Sequence, residues 1–177
     1  IGSCAVTELF DIYDEVGRRL GKMPRDQVHL SGAWHRAVNV FLFNSEGYLL
    51  IQQRSLAKDV CPLKWDLSVA EHLQSGESYL DAAHRGIQEE LSLRCDKLSP
   101  LGSPTTHQLV LPEQNLKNCE FTQCYRGEVN GEVNLDPVEV ADWRYVDITD
   151  LCEQLRSTPS RFTPWFVELS RHVGICQ

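Results

Sequence analysis

Between Ser78 and Leu91 the apolar residues stop recurring at every second position and begin recurring at every third or fourth, which sets one amphipathic helix in the middle of a strand-rich chain. Leu80, Ala83, Ile87 and Leu91 would share its apolar face, with Asp81, Gln88 and Glu89 elsewhere. Glu77, Ser78 and Asp81 put polar or negative groups at its start, where the helix dipole favours them, and the turn Ser75-Gly76 leads into it. Around it lie strands. Leu9 to Glu15 alternates, and Asp14-Glu15-Val16-Gly17 turns the chain back into Arg18-Arg19-Leu20 as a hairpin. Ala37 to Phe43 and Tyr48 to Gln53 flank the turn Asn44-Ser45-Glu46-Gly47 as a second hairpin. Trp65 to Ala70 is a short extended piece after a loop at Pro62, and Phe121 to Val129 and Val138 to Val146 read as strands. Gln108 to Asn118 reads as a loop. A short helix starts at Asp147 or Thr149 and reaches Leu155; the last starts at Thr163-Pro164, with the proline in its first turn. Strands interrupted by helices imply a layered α/β or α+β fold. A length of 177 residues suits one domain, with residues 1–3 reading as a trimmed end and 4–30 as an N-terminal hairpin extension.

Composition narrows the function. With 42% hydrophobic and 24% charged residues the chain is globular, and no apolar run is long enough to span a bilayer. A net charge of -8 argues against general binding to nucleic acid backbones. The seven cysteines form no CxxC pair, which points to a reduced, cytoplasmic protein rather than a zinc ribbon; an organelle-targeting peptide removed earlier would leave no trace. Cys119 and Cys124, an odd spacing apart in a strand, should face opposite ways as small buried hydrophobes.

The chemistry-bearing residues gather in two stretches, Glu71-His72-Leu73-Gln74-Ser75-Gly76-Glu77 and Arg85-Gly86-Ile87-Gln88-Glu89-Glu90-Leu91. Adjacent carboxylates at a helix edge can reach one cation, and oxygen ligands suit Mg²⁺ or Mn²⁺ better than zinc. A diphosphate requires such an ion, because its own oxygens repel a nucleophile until they are neutralised. The plain alternative is a solvated helix face carrying an Arg85–Glu89 pair.

The spacing resembles the Nudix box, with matches at Gly76, Glu77, Arg85, Ile87, Glu89, Glu90 and Leu93. It departs from that pattern where Glu71 stands for the opening glycine, Gly86 for the first glutamate after the arginine position, and Ser92 for the closing glycine. Because one position loses a carboxylate where another gains one, we expect Glu71, from the loop, to project its carboxylate into the volume that Gly86 leaves empty on the helix.

Two further stretches, Trp34-His35-Arg36-Ala37-Val38-Asn39-Val40 and Leu50-Ile51-Gln52-Gln53-Arg54-Ser55-Leu56-Ala57-Lys58, together with Phe162-Thr163-Pro164-Trp165-Phe166, resemble the type I isopentenyl diphosphate isomerases. That resemblance implies the Nudix fold, a mixed sheet sandwiched between helices. It also implies metal ligands at His29, His35, His72 and Glu120, with Asn118 where the family has a second glutamate, and diphosphate contacts at Arg25, Arg54 and Lys58. The isomerases use a cysteine just ahead of the box, where this chain has Ala70. The resemblance therefore implies an isomerase-like, metal-dependent hydrolase of a small-molecule diphosphate. In it Glu89, Glu90 and Glu71 hold Mg²⁺ or Mn²⁺, Arg85 orients the carboxylates, and Glu120 serves as general base or in a second, histidine-rich metal site. The alternatives are an isomerase, a Nudix binding module that has lost turnover, and, on the weaker evidence of four tryptophans, a protein-interaction domain.

Overall fold

Trp34 to Phe43 is an almost unbroken run of residues that pack well on a pleated surface, and in a computed structural model describing residues 7–177 it forms the central strand of the sheet. The expectations made for Ile1 to Ser3 and for Cys4 lie outside the described residues. In chain order the strands are β1 (Leu9–Tyr13), β2 (Arg19–Pro24), β3 (Trp34–Phe43), β4 (Leu49–Arg54), β5 (Trp65–Asp66), β6 (Val69–His72), β7 (Leu98–Pro100), β8 (Thr105–Leu111), β9 (Leu116–Glu128) and β10 (Val140–Val146). They form one ten-stranded sheet, mixed because β3 and β9 run parallel while the other pairs are antiparallel. The helices are α1 (Arg25–Ser31), α2 (Tyr79–Leu91), α3 (Ile148–Ser157) and α4 (Pro164–His172).

The hairpin around Asn44 to Gly47 forms, but β3 and β4 stay in register only at Phe43 and Leu49 before they diverge. The following segment fills the fork: β5 pairs with β4, and β6 pairs with β3. At the branch point the buried Ser68 hydroxyl accepts from Leu42 N–H and donates to the Leu50 carbonyl, satisfying backbone groups that the split leaves unpaired. This wedge carries Ala70, Glu71 and His72 into the middle of the molecule.

The sheet is covered on both faces, as the sandwich expectation requires. On one face α2 buries Ala82, Ala83, Ile87 and Leu91 against Val38, Val40, Leu42 and Val69. On the other, α3 and α4 bury Leu151, Phe166 and Leu169 against Phe41, Phe43, Leu49 and Leu67. Leu80, expected on the apolar face of α2, is instead 42% exposed, and Ala82 takes its place in the core. Ser78 caps α2 by accepting from Asp81 N–H, and Ser92 ends it with a left-handed backbone (φ 53°), the conformation that the glycine of the box would adopt without strain.

Two further expectations are corrected, and one helix was not foreseen. The stretch from Gln108 to Asn118 is no loop: it is the end of β8, a short 3-10 turn and the start of β9, paired from Gln108–Cys119 to Leu111–Leu116. Its alternation is hidden by Pro112 and two asparagines. The seven-residue α1, with Pro24 at its N-cap, is too short to show a period. Cys152 and Cys176 form a disulfide that ties α3 to the segment after α4, so the reading of all cysteines as reduced does not hold; spacing in sequence gives no measure of which thiols meet in space. Cys119 and Cys124 are both free and buried, as expected. Among the described residues no helix is long and apolar enough to cross a membrane.

Candidate active site

Register assembles a histidine centre. The parallel pairing of β3 with β9 sets His35 beside Glu120, and the antiparallel pairing with β6 sets Ala37 beside His72, so all three functional side chains share one face of the sheet. His29 reaches the same place from α1. The ligand-capable nitrogens of His29, His35 and His72 lie within 4.8 Å of one another. His35 is fully buried, and its Nδ1 lies 3.0 Å from the Ala33 carbonyl. A carbonyl only accepts, so the proton sits on Nδ1 and the lone pair on Nε2. That Nε2 is buried with no hydrogen-bond partner among the described residues, 3.6 Å from Glu120 Oε1. An unpartnered imidazole lone pair beside two more histidines and a carboxylate fits a divalent transition ion.

Phe10 packs on His35 and His72, with ring centroids 5.6 and 5.2 Å away. Burial, followed by the neighbouring His72 and His35, lowers the pKa of His29 to about 4, and burial also lowers that of His72. Burial alone would raise the Glu120 carboxyl, but the adjacent imidazoles of His35 and His72 hold it well below the ordinary range. His72 Nε2 is 3.0 Å from Glu120 Oε1, and Asn118 Nδ2 donates to the same oxygen at 2.8 Å.

A carboxylate group lies on the other side of β6. Glu71 alternates with Ala70 and His72 and so faces α2, where it meets Arg85, Glu89 and Glu90. Arg85 is the hub of this group. It donates to both oxygens of Glu77 at 2.8 Å, to the His72 carbonyl at 2.9 Å and to Glu89 at 3.3 Å, and its Nη1 lies 3.5 Å from Glu71 Oε2. Hydrogen bonds to Glu77 raise its already high pKa further, so it is a permanent cation. Glu90 is held well above the usual carboxylate range by burial and then by Glu71, and Glu71 is raised by burial against the opposing pull of Arg85. Two such groups ionise together only when a cation lies between or beside them. The convergence is looser than in the histidine centre, because the Glu89 side chain is 59% exposed.

Gly86 packs against β6, next to Val69 and the stem of Glu71. A Cβ built on Gly86 would lie 2.7 Å from Val69 Cγ1 and 3.3 and 3.6 Å from Glu71 Cβ and Cγ. Val69 thus closes on the space a side chain at 86 would need, and the stem of Glu71 borders it.

Both groups open into one cleft of about 430 Å³, within the range of small-molecule sites. Ala70, opposite Asn39 in the sheet, lines it on the same face of β6 as His72. Arg25, Arg54 and Lys58 also line it, but each is ion-paired: Arg25 with Glu8 at 3.1 Å, Arg54 with Asp66 at 3.5 Å and Lys58 with Glu139. A diphosphate would have to displace or share these partners.

Two residues of the cleft had not been singled out. Gln52, 5% exposed, donates from Nε2 to the Ser68 carbonyl and to Glu90. Asp66, 2% exposed, accepts from Leu67 N–H, Thr163 Oγ1 and Trp165 Nε1 and faces Arg54, which also lies over the Trp165 ring. No local signal marks a lone Asp as buried. The Thr-Pro-Trp run did carry a trace of it, since a polar pair in an apolar helix start calls for a buried acceptor.

The family model described as NUDIX domain matches residues 33–166. The isopentenyl-diphosphate Delta-isomerase of Pectobacterium atrosepticum is 34% identical over 155 residues, 88% of this chain and 85% of that protein. The isopentenyl-diphosphate Delta-isomerase of Serratia proteamaculans is 32% identical over 167 residues, 94% and 92%. Among solved structures, DR0079 from Deinococcus radiodurans superposes with a TM-score of 0.75 at 26% identity, covering 94% of this chain and 99% of that one. A MutT protein from Methanosarcina mazei shares the fold at 19% identity, with a TM-score of 0.62.

Proposed function

Because the chain belongs to the Nudix superfamily, in the subgroup that resembles isopentenyl diphosphate isomerases, we propose that it hydrolyses a small organic diphosphate with the help of divalent metal. The observation that carries this reading is Ala70. Moving a double bond requires one group to add a proton and another to remove one, on opposite sides of the alkene. At position 70, on the His72 face of β6, the cleft wall is a methyl group, which has no proton to exchange.

Hydrolysis needs no group at that place. Bound Mg²⁺ or Mn²⁺ supplies charge neutralisation of the phosphate oxygens and acidifies water. His29, His35, His72 and Glu120 are the residues that would hold one ion, and Glu89 and Glu90, with Glu71, a second. Arg25, Arg54 and Lys58 bind the diphosphate, and Arg85 fixes the carboxylates in place. Glu90, gripped on one oxygen by Gln52, takes the proton of the attacking water as its oxygen bonds to phosphorus and the bridging P–O bond breaks. The products are a phosphate monoester and orthophosphate, or two monoesters.

The test is phosphate release from nucleoside diphosphates, nucleotide sugars, coenzymes and prenyl diphosphates with Mg²⁺ or Mn²⁺, repeated with Glu90→Gln. Release that disappears in the variant supports the reading, and release that survives it refutes it. The second reading, isomerisation, draws on the names of the relatives. Conversion of isopentenyl to dimethylallyl diphosphate by the native protein would establish it.

A further inference from the structure

We infer that Asp11, on the N-terminal hairpin, is a positioning residue of the carboxylate centre, gripping the loop Ser75-Gly76-Glu77 so that Glu77 holds Arg85 in place. This rests on the metal-dependent reading above and extends it to a part of the chain that the matched family domain, residues 33–166, does not include. Successive side chains of a strand point to opposite faces, and β1 uses both: Phe10 packs on His35 and His72, while Asp11 reaches the loop that precedes α2. Asp11 is 7% exposed, and both of its oxygens are engaged. Oδ1 accepts from Ser75 Oγ at 2.8 Å and from Arg19 Nη2 at 3.0 Å, and Oδ2 accepts from Gly76 N–H at 2.9 Å. Burial opposes charge on this carboxyl, but the three donors outweigh burial and lower its pKa. The Ser75 N–H also donates to the Leu9 carbonyl, so β1 holds the loop through backbone and side chain alike.

The loop needs such a grip, since Gln74, Gly76 and Ser78 are exposed and Gly76, at φ 80°, is the residue type with the widest backbone freedom. From Glu77 the constraint passes inward. Its carbonyl accepts from Arg36 Nη2 at 3.1 Å, and both of its carboxylate oxygens accept from Arg85 at 2.8 Å. Arg36 is itself steadied beside Asp11, with Nη2 3.8 Å from Oδ2 and the guanidinium 5.3 and 5.5 Å from the ring centroids of Tyr13 and Tyr79. Arg85 in turn donates to Glu89 and faces Glu71, so Asp11 is the outer end of a continuous chain of polar contacts that finishes at the cation-holding carboxylates. A carboxylate that only pinned the hairpin would take its donors from the hairpin, whereas Asp11 takes Ser75 Oγ and Gly76 N–H from the loop.

The experiment is calorimetric titration of the full chain with Mg²⁺ alone, well below the melting temperature of each protein. The proteins are the native chain, Asp11→Asn, Arg19→Gln, Ser75→Ala, Glu77→Gln, the double variant Asp11→Asn/Glu77→Gln, and Glu90→Gln. Asparagine keeps the volume of Asp11 but turns an N–H group toward one of its donors. We expect Asp11→Asn to bind Mg²⁺ about 10-fold more weakly than the native protein. Ser75→Ala should weaken binding in the same direction by less, and Arg19→Gln, which loses a contact within the hairpin only, should bind as the native protein does. If Asp11 acts through Glu77, the double variant binds no more weakly than Glu77→Gln alone, even though it melts lower. Native affinity in folded Asp11→Asn overturns the inference, and so does a double variant in which the two losses multiply. Should Asp11→Asn fail to fold, Ser75→Ala decides, and native affinity there overturns the inference equally. Native affinity in Glu90→Gln as well takes the carboxylate centre of the hydrolase reading down with it, whereas losses confined to Glu77→Gln and Glu90→Gln sink this inference alone.

Discussion

Gln52 holds Glu90 from the floor of the cleft: its Nε2 lies 3.2 Å from Glu90 Oε2 and donates as well to the Ser68 carbonyl at 2.7 Å. One amide thus joins a carboxylate of α2 to the wedge between β3 and β4. Without it Glu90 would keep its place in the helix but lose its orientation.

Gln52→Leu preserves side-chain bulk and removes both donations. We expect kcat for diphosphate hydrolysis to fall about 10- to 100-fold, with the substrate KM little changed. Steady-state kinetics on protein with native circular dichroism checks this, and an unaltered kcat would remove Gln52 from the machinery.

Ala70→Cys puts a thiol on the cleft wall on the His72 face of β6. If the missing proton-transfer group is what separates this chain from its isomerase relatives, the variant gains dimethylallyl diphosphate formation that the native protein lacks. Proton NMR of isopentenyl diphosphate incubated with each protein and Mg²⁺ reads the outcome directly. A native protein already active in that assay contradicts the hydrolase reading.

Trp165→Phe deletes the indole donation to Asp66 at 2.9 Å while keeping most of the ring. Leaving a buried carboxylate with one donor fewer costs about 1–3 kcal/mol, measurable by urea denaturation. Arg54 lies against both Trp165 and Asp66, so KM for the diphosphate should rise more than kcat falls.

The His29 shift has a definite sign. Its folded pKa of about 4 is below the unfolded 6.5, so between those values the unfolded chain binds more protons. Its contribution to stability is complete above pH 6.5 and is lost as pH falls toward 4, by roughly 3 kcal/mol at most. In metal-free protein the melting temperature of the native chain relative to His29→Asn should therefore drop from pH 7 to pH 4. A difference independent of pH would show that His29 is not buried among its neighbours.

Reduction of Cys152–Cys176, 24 residues apart, should destabilise the protein by about 3 kcal/mol through the freedom returned to the unfolded chain. Melts with and without dithiothreitol test this, with Cys152→Ser as the control that no longer responds.

The legible half of the protein was its local half. The helix from Ser78, its cap, the Arg85–Glu89 pair and the turn at Asn44 to Gly47 depend on residues within a few positions of one another, and periodicity and turn chemistry report on that range. The loss of a carboxylate at 86 and the gain of one at 71 were legible as breaks in a spacing pattern, whereas the packing of Gly86 on Val69 and the stem of Glu71 came from the fold. The β8–β9 hairpin and α1 escaped because proline, asparagine and short length leave no period to read.

What folding alone decided was long-range register. His72 and Glu120 are 48 residues apart, and nothing in their surroundings specifies that they meet. Sliding β9 one position along β3 would turn Glu120 to the face that α2 covers and remove it from His35. Side-chain alternation makes each pairing all-or-none, and the choice among pairings is made by burial of the whole sheet between its helix layers. The residues able to do chemistry were therefore written in the chain, whereas their division into a histidine centre and a carboxylate centre on opposite sides of β6 arose only once that strand had settled in the fork between β3 and β4.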